Sequence, residues 1–459
     1  MRPLRTLHVC YSFPPDPPGG TEVYVDALCR ALVARNIDAS VAAPAYCDAV
    51  YEHRGLRVRR FAIDQAVDLD ALYAGDPLAA GSFAKLLDAE APDLVHLHAL
   101  TPACSPLISQ EIKRRGLPLV FTLHTPTVTC QRGTLLEMGT SVCDGRVEIR
   151  RCSACAIAAK GGGMFSRLAG SVPVKGGRFL GYLGMDGGVW TALRMSSLLS
   201  LRLAGLEQLF HDADRIVALA SWVEDVLRAN QVPDAKVVRS AHGIDGPLRR
   251  ARPPRANDAP LKVAHLGRLD PAKGTANLIA AMRLVRSSAI RLDIYGVDQH
   301  ESSTVLDLIR LSAGDPRIHW ESPIPPTDVV ERLSHYDVVA VPSQGLETGP
   351  LVVLEAFAAG VPVLGSAIGG IADKVNDGVD GFLVKPFDSE TEWASALEAL
   401  ATDRELVARV TAGVRPPRAI ADVADEMRAV YASLTGAADR TPASGGPESL
   451  AEPVAVTRT

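Results

Sequence analysis

A chain of 459 residues is too long for one ordinary core, so two large domains are expected. Its 47% hydrophobic and 22% charged residues suit a globular protein, and a net charge of −5 argues against a nucleic-acid binder, which needs a basic face. No stretch reaches the roughly 18 uncharged apolar residues that span a bilayer, no secretory leader is visible, and eight cysteines in so long a chain make no disulfide framework, so a cytoplasmic protein with reduced thiols is expected.

Leu7–Tyr11 is the first candidate strand. The loop SFPPDPPGGTE follows, then a helix with Val25, Leu28, Cys29 and Leu32 at i, i+3, i+4 and i+7. Ala39–Ala43, Leu94–His98, Leu119–His124 and Arg215–Leu219 read as further strands. Apolar strands alternating with helices predict a parallel, doubly wound sheet, which binds ligands beyond the C-terminal strand ends. Gly19-Gly20, His98 and His124 fall at such ends. Asp68-Leu69-Asp70 has the form of a metal-binding DxD, but its place near a helix start reads as solvated surface.

Between residues 130 and 190 the alternation lapses. Cys130, Cys143, Cys152 and Cys155 have the spacing C-x12-C-x8-C-x2-C. Four thiolates can close a structural zinc site, and the last pair is a common half-site, with chance grouping as the alternative. The apolar and basic residues of Phe165–Tyr182 allow peripheral contact with a membrane, although a flexible loop that never meets lipid is the simpler reading. A helix resumes with Ala192, Met195, Leu199, Leu203, Leu206 and Phe210 on one stripe.

Ile244–Pro260 has prolines, charge and no periodicity, and marks a linker between residues 1–243 and 261–418. Its basic run at 248–255 reads as solvated linker rather than a phosphate-tracking patch. The alternation then restarts with strands at Val263–Leu266, Arg291–Tyr295, Ile318–Trp320, Val338–Val341, Val361–Leu364 and Phe382–Val384. A last helix is expected within 419–435, and residues 436–459 read as disordered.

Two stretches of this second half carry chemistry. Gly267–Gly274, GRLDPAKG, follows a strand and opens a helix, so Arg268 and Lys273 can flank a diphosphate resting on the helix N-terminus. Each charge-assisted hydrogen bond of that kind contributes about 1.5–3 kcal/mol. In Pro342–Gly370, Gly349 as N-cap and Pro350 as first helical residue are expected to start a helix between Glu347 and Glu355. Its free N–H groups suit phosphate, while carboxylates on either side can accept hydrogen bonds from the hydroxyl pairs of a ribose or hexose. Gly369-Gly370 reads as a second tight turn. Neither stretch is a Walker A loop or a GxGxxG turn.

GRLDPAKG, PSQGLETGPLVVLEAFAAGVPVLGS and the following Gly-Gly resemble the donor half of retaining glycosyltransferases of family 4, with their Glu-x7-Glu motif. GGTE, DLVHLH, FTLH and ADRIVALASWV extend the resemblance to the first half, and a subset of the family carries similar cysteine insertions. The resemblance implies an α/β GT-B fold, two facing Rossmann-like domains with a cleft between them, the last helix crossing back to the first. It implies metal-independent, retaining hexosyl transfer from a nucleotide-diphosphate sugar to a glycan or lipid-linked acceptor, with no catalytic cofactor. Arg268 and Lys273 would bind the diphosphate, Glu355 the ribose, and Glu347 with backbone N–H groups near Gly349 the transferred sugar. Gly20 would let the first-domain loop approach, and His124 would sit near that sugar. The family's Pro-Glu after Gly-Gly is here Ala372-Asp373, and its Asn-Gly at the domain junction is His242-Gly243, differences that bear on donor identity. A non-catalytic sugar-nucleotide-binding relative and a sugar-nucleotide epimerase are the alternatives.

Overall fold

A computed structural model describes residues 2–246, 259–297 and 303–436. Most of the expected linker and nearly all of the expected tail lie outside them.

The first domain is built on an eight-stranded sheet. Its strands are β1 (Leu4–Val9), β2 (Ile37–Ala45), β3 (Ala49–His53), β4 (Leu56–Ala62), β5 (Leu94–Leu97), β6 (Leu119–Leu123), β7 (Arg215–Ala218) and β8 (Val237–Arg239). They run in the order β8-β7-β6-β5-β1-β2-β4-β3. All pairs are parallel except β3 with β4. The β3–β4 hairpin was not legible in the sequence, because β3 is a half-exposed edge without apolar alternation. It turns on Arg54 and Gly55, both at positive φ, as a two-residue hairpin loop requires.

The sheet is buried on both faces. Leu119, Phe121 and Leu123 of β6 enter one core, and Val120 between them enters the other. Helix α1 (Gly20–Val33) covers the second face together with the C-terminal helix. The segment of lapsed alternation forms a small hairpin, Leu136–Glu137 with Ser141–Val142, and three helices: α2 (Ile149–Ala159), α3 (Phe165–Gly170) and α4 (Val174–Tyr182). These pack on the long helix α5 (Gly188–Asp212), and α6 (Ser221–Ala229) follows β7.

The second domain has six parallel strands: β9 (Leu261–Arg268), β10 (Ile290–Val297), β11 (Ile318–Glu321), β12 (Val338–Val341), β13 (Val363–Ser366) and β14 (Gly381–Val384). Their order, β11-β10-β9-β12-β13-β14, reverses direction beside β9, where α7 (Thr275–Leu284) begins. Ligands of doubly wound sheets bind at such a reversal. Helix α8 (Leu351–Ala358) follows β12 and the four-residue α9 (Gly369–Ala372) follows β13. Helix α8 starts one residue later than expected: Pro350 is its N-cap, because its ψ of 126° is extended rather than helical. The Gly369-Gly370 turn is the start of α9.

The C-terminal helix α10 (Ile420–Thr435) sends Val423, Met427 and Tyr431 into the first domain's core. The two interdomain passages of the chain run side by side, with Ile244 N–H donating to Arg418 C=O at 3.1 Å and Ile420 N–H to Ile244 C=O at 2.9 Å. Gly243 permits this approach, since a Cβ there would sit 2.5 Å from the Ala419 carbonyl oxygen. Among the described residues no helix is long and apolar enough to cross a membrane.

Candidate active site

A cleft of about 440 Å³ opens between the domains, lined by Gly20 and His124 on one side and Arg268, Lys273, Glu347 and Gly349 on the other. Each wall is made at strand ends: His98 and His124 directly follow β5 and β6, Arg268 ends β9, and the Glu347 loop follows β12. Lys273 Nζ meets Glu347 Oε2 at 2.8 Å, and Ser343 Oγ donates to the other carboxylate oxygen. Arg268 is 3.3 Å from Asp270. Asp270 caps the turn ahead of α7 by accepting from Ala272 N–H, which sets the angle at which Lys273 enters the cleft. The carbonyl of Ala272 then accepts from Gln344 N–H at 2.7 Å, tying the cation loop to the carboxylate loop.

The two walls are latched together. Thr348 Oγ1 donates to the His124 carbonyl at 2.8 Å, Trp222 Nε1 donates to the Glu347 carbonyl at 2.8 Å, and Leu346 N–H to the Thr134 carbonyl at 2.9 Å. Asp373 accepts at 2.7 Å from both the backbone N–H and the hydroxyl of Ser221, the first residue of α6, where a helix N-terminus favours negative charge. Nothing local pairs Trp222 with Glu347 or Ser221 with Asp373, because each bond joins residues more than a hundred positions apart.

Behind His124 lies a file of buried imidazoles. His124 Nε2 is 3.0 Å from His98 Nδ1, and His98 Nε2 is 3.1 Å from His8 Nδ1. Burial lowers the pKa of His8 and His124 to about 3, so both are neutral at ordinary pH. A neutral imidazole has one donor and one acceptor nitrogen, so the file leaves only Nδ1 of His124 for the cleft. The buried Nδ1 of His242 has no partner among the described residues. Glu355 does not line the same cavity. It stands one turn beyond Leu351 on α8, half-buried, and loss of solvent raises its carboxyl pKa to about 7.

The first domain matches the family described as "Glycosyl transferase 4-like domain" over residues 19–243. The second matches "Glycosyl transferases group 1" over residues 250–415. The chain belongs to the group 1/GT4-like glycosyltransferase superfamily. Curated relatives include D-inositol 3-phosphate glycosyltransferases of Nocardia farcinica, 33% identical over 226 residues, and of Stackebrandtia nassauensis, 32% identical over 234. Each alignment covers 46% of this chain, and the chain spans about half the length of these relatives, 49% and 52%. Superfamily membership agrees with the GT-B fold seen in solved structures. Anabaena HepE in complex with UDP and glucose superposes with TM-score 0.61 at 18% identity, over 94% of this chain and 100% of that one. Sucrose-phosphate synthase from Thermosynechococcus elongatus gives 0.63 at 18%, over 95% and 100%.

Two further expectations can be placed. Asp68 caps a helical turn by accepting from Ala71 N–H, and Asp70 pairs with Arg194, so neither is free for a metal. Cys130, Cys143, Cys152 and Cys155 all line one cavity of about 30 Å³. Backbone N–H groups of Met138 and Glu148 donate to the sulfurs of Cys155 and Cys152 at 3.3 and 3.4 Å, while burial raises the Cys152 thiol pKa. The donor set is that of a zinc site, but no three of its sulfurs lie mutually within 4.8 Å. Among the described residues, the one trio of ligand atoms mutually within 4.8 Å belongs to His8, His96 and His98. Those three are buried and bonded to one another or to Thr6, Thr122 and Tyr431.

Proposed function

We propose that this chain is a retaining hexosyltransferase that uses a nucleotide-diphosphate sugar and acts at the cytoplasmic face of a membrane on a glycan or lipid-linked acceptor, in polysaccharide or glycoconjugate synthesis. The observation that carries this is the Lys273–Glu347 pair, held beside Arg268 on one wall of a cleft whose other wall presents His124. Arg268 and Lys273 receive the diphosphate, and charge developing on the departing phosphate is stabilised by cations already in place. Glu347 accepts from hydroxyls of the transferred sugar, N–H groups near Gly349 assist, and His124 Nδ1 meets the same sugar from the first domain. Gly20 leaves room for the first-domain loop at the reaction centre, and Glu355 holds the ribose hydroxyls. The departing phosphate takes the acceptor proton on the same face, so the reaction needs neither a protein base nor a metal. The non-catalytic and epimerase alternatives remain distinguishable by turnover: neither releases nucleotide in proportion to a glycosylated product.

Glu355 supplies the test. Its raised pKa means that the free protein takes up charge there only near pH 7, whereas the unfolded chain ionises near 4.5. Stability of the unliganded protein therefore falls as pH rises from about 4.5 to 7, since the native state then binds more protons. Donor binding has the opposite slope, because ribose hydroxyls donate to the ionised carboxylate. Between pH 8 and pH 6 the ionised fraction falls about tenfold, and donor affinity with it. A panel of nucleotide sugars read by thermal shift is expected to find a donor whose stabilisation is larger at pH 8 than at pH 6 in wild type and flat with pH in Glu355→Gln. If no nucleotide sugar stabilises the protein at either pH, the donor reading fails.

We further propose that Cys130, Cys143, Cys152 and Cys155 hold a structural zinc that staples the hairpin to α2, with no part in the chemistry. Metal analysis of purified protein is expected to give one zinc per chain, lost in Cys152→Ser. Metal-free protein with four freely titratable thiols rules it out.

A further inference from the structure

We propose that the tip formed by α3, α4 and the start of α5 is a docking surface for an anionic lipid bilayer. In a helix packed on a soluble protein the large apolar residues face inward. Here the order is inverted. Helix α3 buries Ser166, Ala169 and Gly170, and α4 buries Gly177. A Cβ on Gly170 would lie 2.7 Å from the Ala154 nitrogen, and one on Gly177 2.8 Å from Ser197 Oγ, so small residues let both helices lie flat on the body. The large side chains stand in solvent: Met164 is 95% exposed, Tyr182 88%, Leu168 73% and Phe179 61%, with Phe165 and Trp190 exposed beside them. So dense a patch of exposed apolar side chains marks a surface made to be covered.

Charge selects the occupant. Residues 159–190 carry exposed Lys160, Arg167, Lys175 and Arg178 against one acid, Asp186, which is engaged by the buried Arg194. In a chain of net charge −5 this tip is basic. Two copies joined face to face through a two-fold axis would set these cations against each other. Anionic headgroups complement them, while the apolar side chains enter the acyl boundary. Docking rests on the proposed function only in placing a lipid-linked acceptor at the membrane.

The test is sedimentation of the full chain with phosphatidylcholine vesicles, with and without phosphatidylserine. Wild type is expected to pellet with the anionic vesicles at low salt and to be released at high salt. Loss of one basic residue should weaken binding about fivefold, and Lys175→Glu with Arg178→Glu, or Leu168→Asp with Tyr182→Asp, by tenfold or more. A donor thermal shift kept in both variants shows that they are folded, since neither pair touches the cleft. Wild type remaining in the supernatant, variants pelleting like wild type, or light scattering showing a dimer that the variants split would each overturn the proposal. Pelleting without any donor shift would sink the transferase reading and leave docking standing.

Discussion

Replacing Lys273 with alanine is expected to lower nucleotide-sugar turnover by about 10²–10³-fold, the usual effect of removing one preorganised donor from developing negative charge. The loss should fall on kcat more than on KM. In the free protein Lys273 is already paired with Glu347 at 2.8 Å, so the ground state gains little when the donor arrives: one anion replaces another. Only as the glycosidic bond breaks does charge on the phosphate exceed what Glu347 offered, and an interaction stronger in the transition state acts on kcat. Arg268→Ala should cost less, because that side chain is 53% exposed and its field is screened by water. Glu347→Gln is predicted to separate the two roles. It frees Lys273 for the donor, so KM holds or falls, while kcat drops for want of a carboxylate on the sugar hydroxyls. Lys273→Ala turning over within tenfold of wild type, in folded protein, would remove the leaving-group role.

What the sequence made legible follows from distance along the chain. Apolar strands such as LVHL and LVFTL announce a sheet buried on both faces, and the GRLDPAKG loop with Glu347 is read locally, because each lies within one strand-to-helix turn. The joining of those loops is not local. Thr348 with His124, Trp222 with Glu347 and Asp373 with Ser221 are polar contacts spanning 125 to 224 positions, and hydrogen-bonding side chains carry no periodicity that betrays their partners. His98 could be placed at a strand end, but its position in a file with His8 and His124 depends on the neighbouring order of β1, β5 and β6. The helix start at Leu351 moved by one residue because proline fixes φ and leaves ψ free. The inverted faces of α3 and α4 were hidden for a related reason: a glycine reads as a breaker until the helix beneath it is known.

Gly274→Ala should be the most damaging single methyl added to the donor wall. Gly274 sits at φ +70°, where a side chain costs about 1–2 kcal/mol, and its Cβ would lie 1.9 Å from the Pro342 carbonyl oxygen. That oxygen is backbone and is engaged by Gln344 Nε2, so it cannot swing aside as a side-chain tip would. Overpacking adds about 1–3 kcal/mol, so a loss of about 2–5 kcal/mol is expected in urea unfolding. Gly314→Ala separates the two contributions: its φ is +86° with nothing within 4 Å of the added methyl, so it should carry the conformational cost alone. The functional consequence should outrun the loss of stability. Gly274 lies between Lys273 and α7, and Pro342 opens the loop that carries Glu347, so relief of the clash must push cation and carboxylate apart. Even at temperatures where Gly274→Ala is folded, donor stabilisation by thermal shift should be abolished, while Gly314→Ala keeps it. Equal donor shifts in the two variants would mean that the spacing of these loops does not set the geometry of the donor wall.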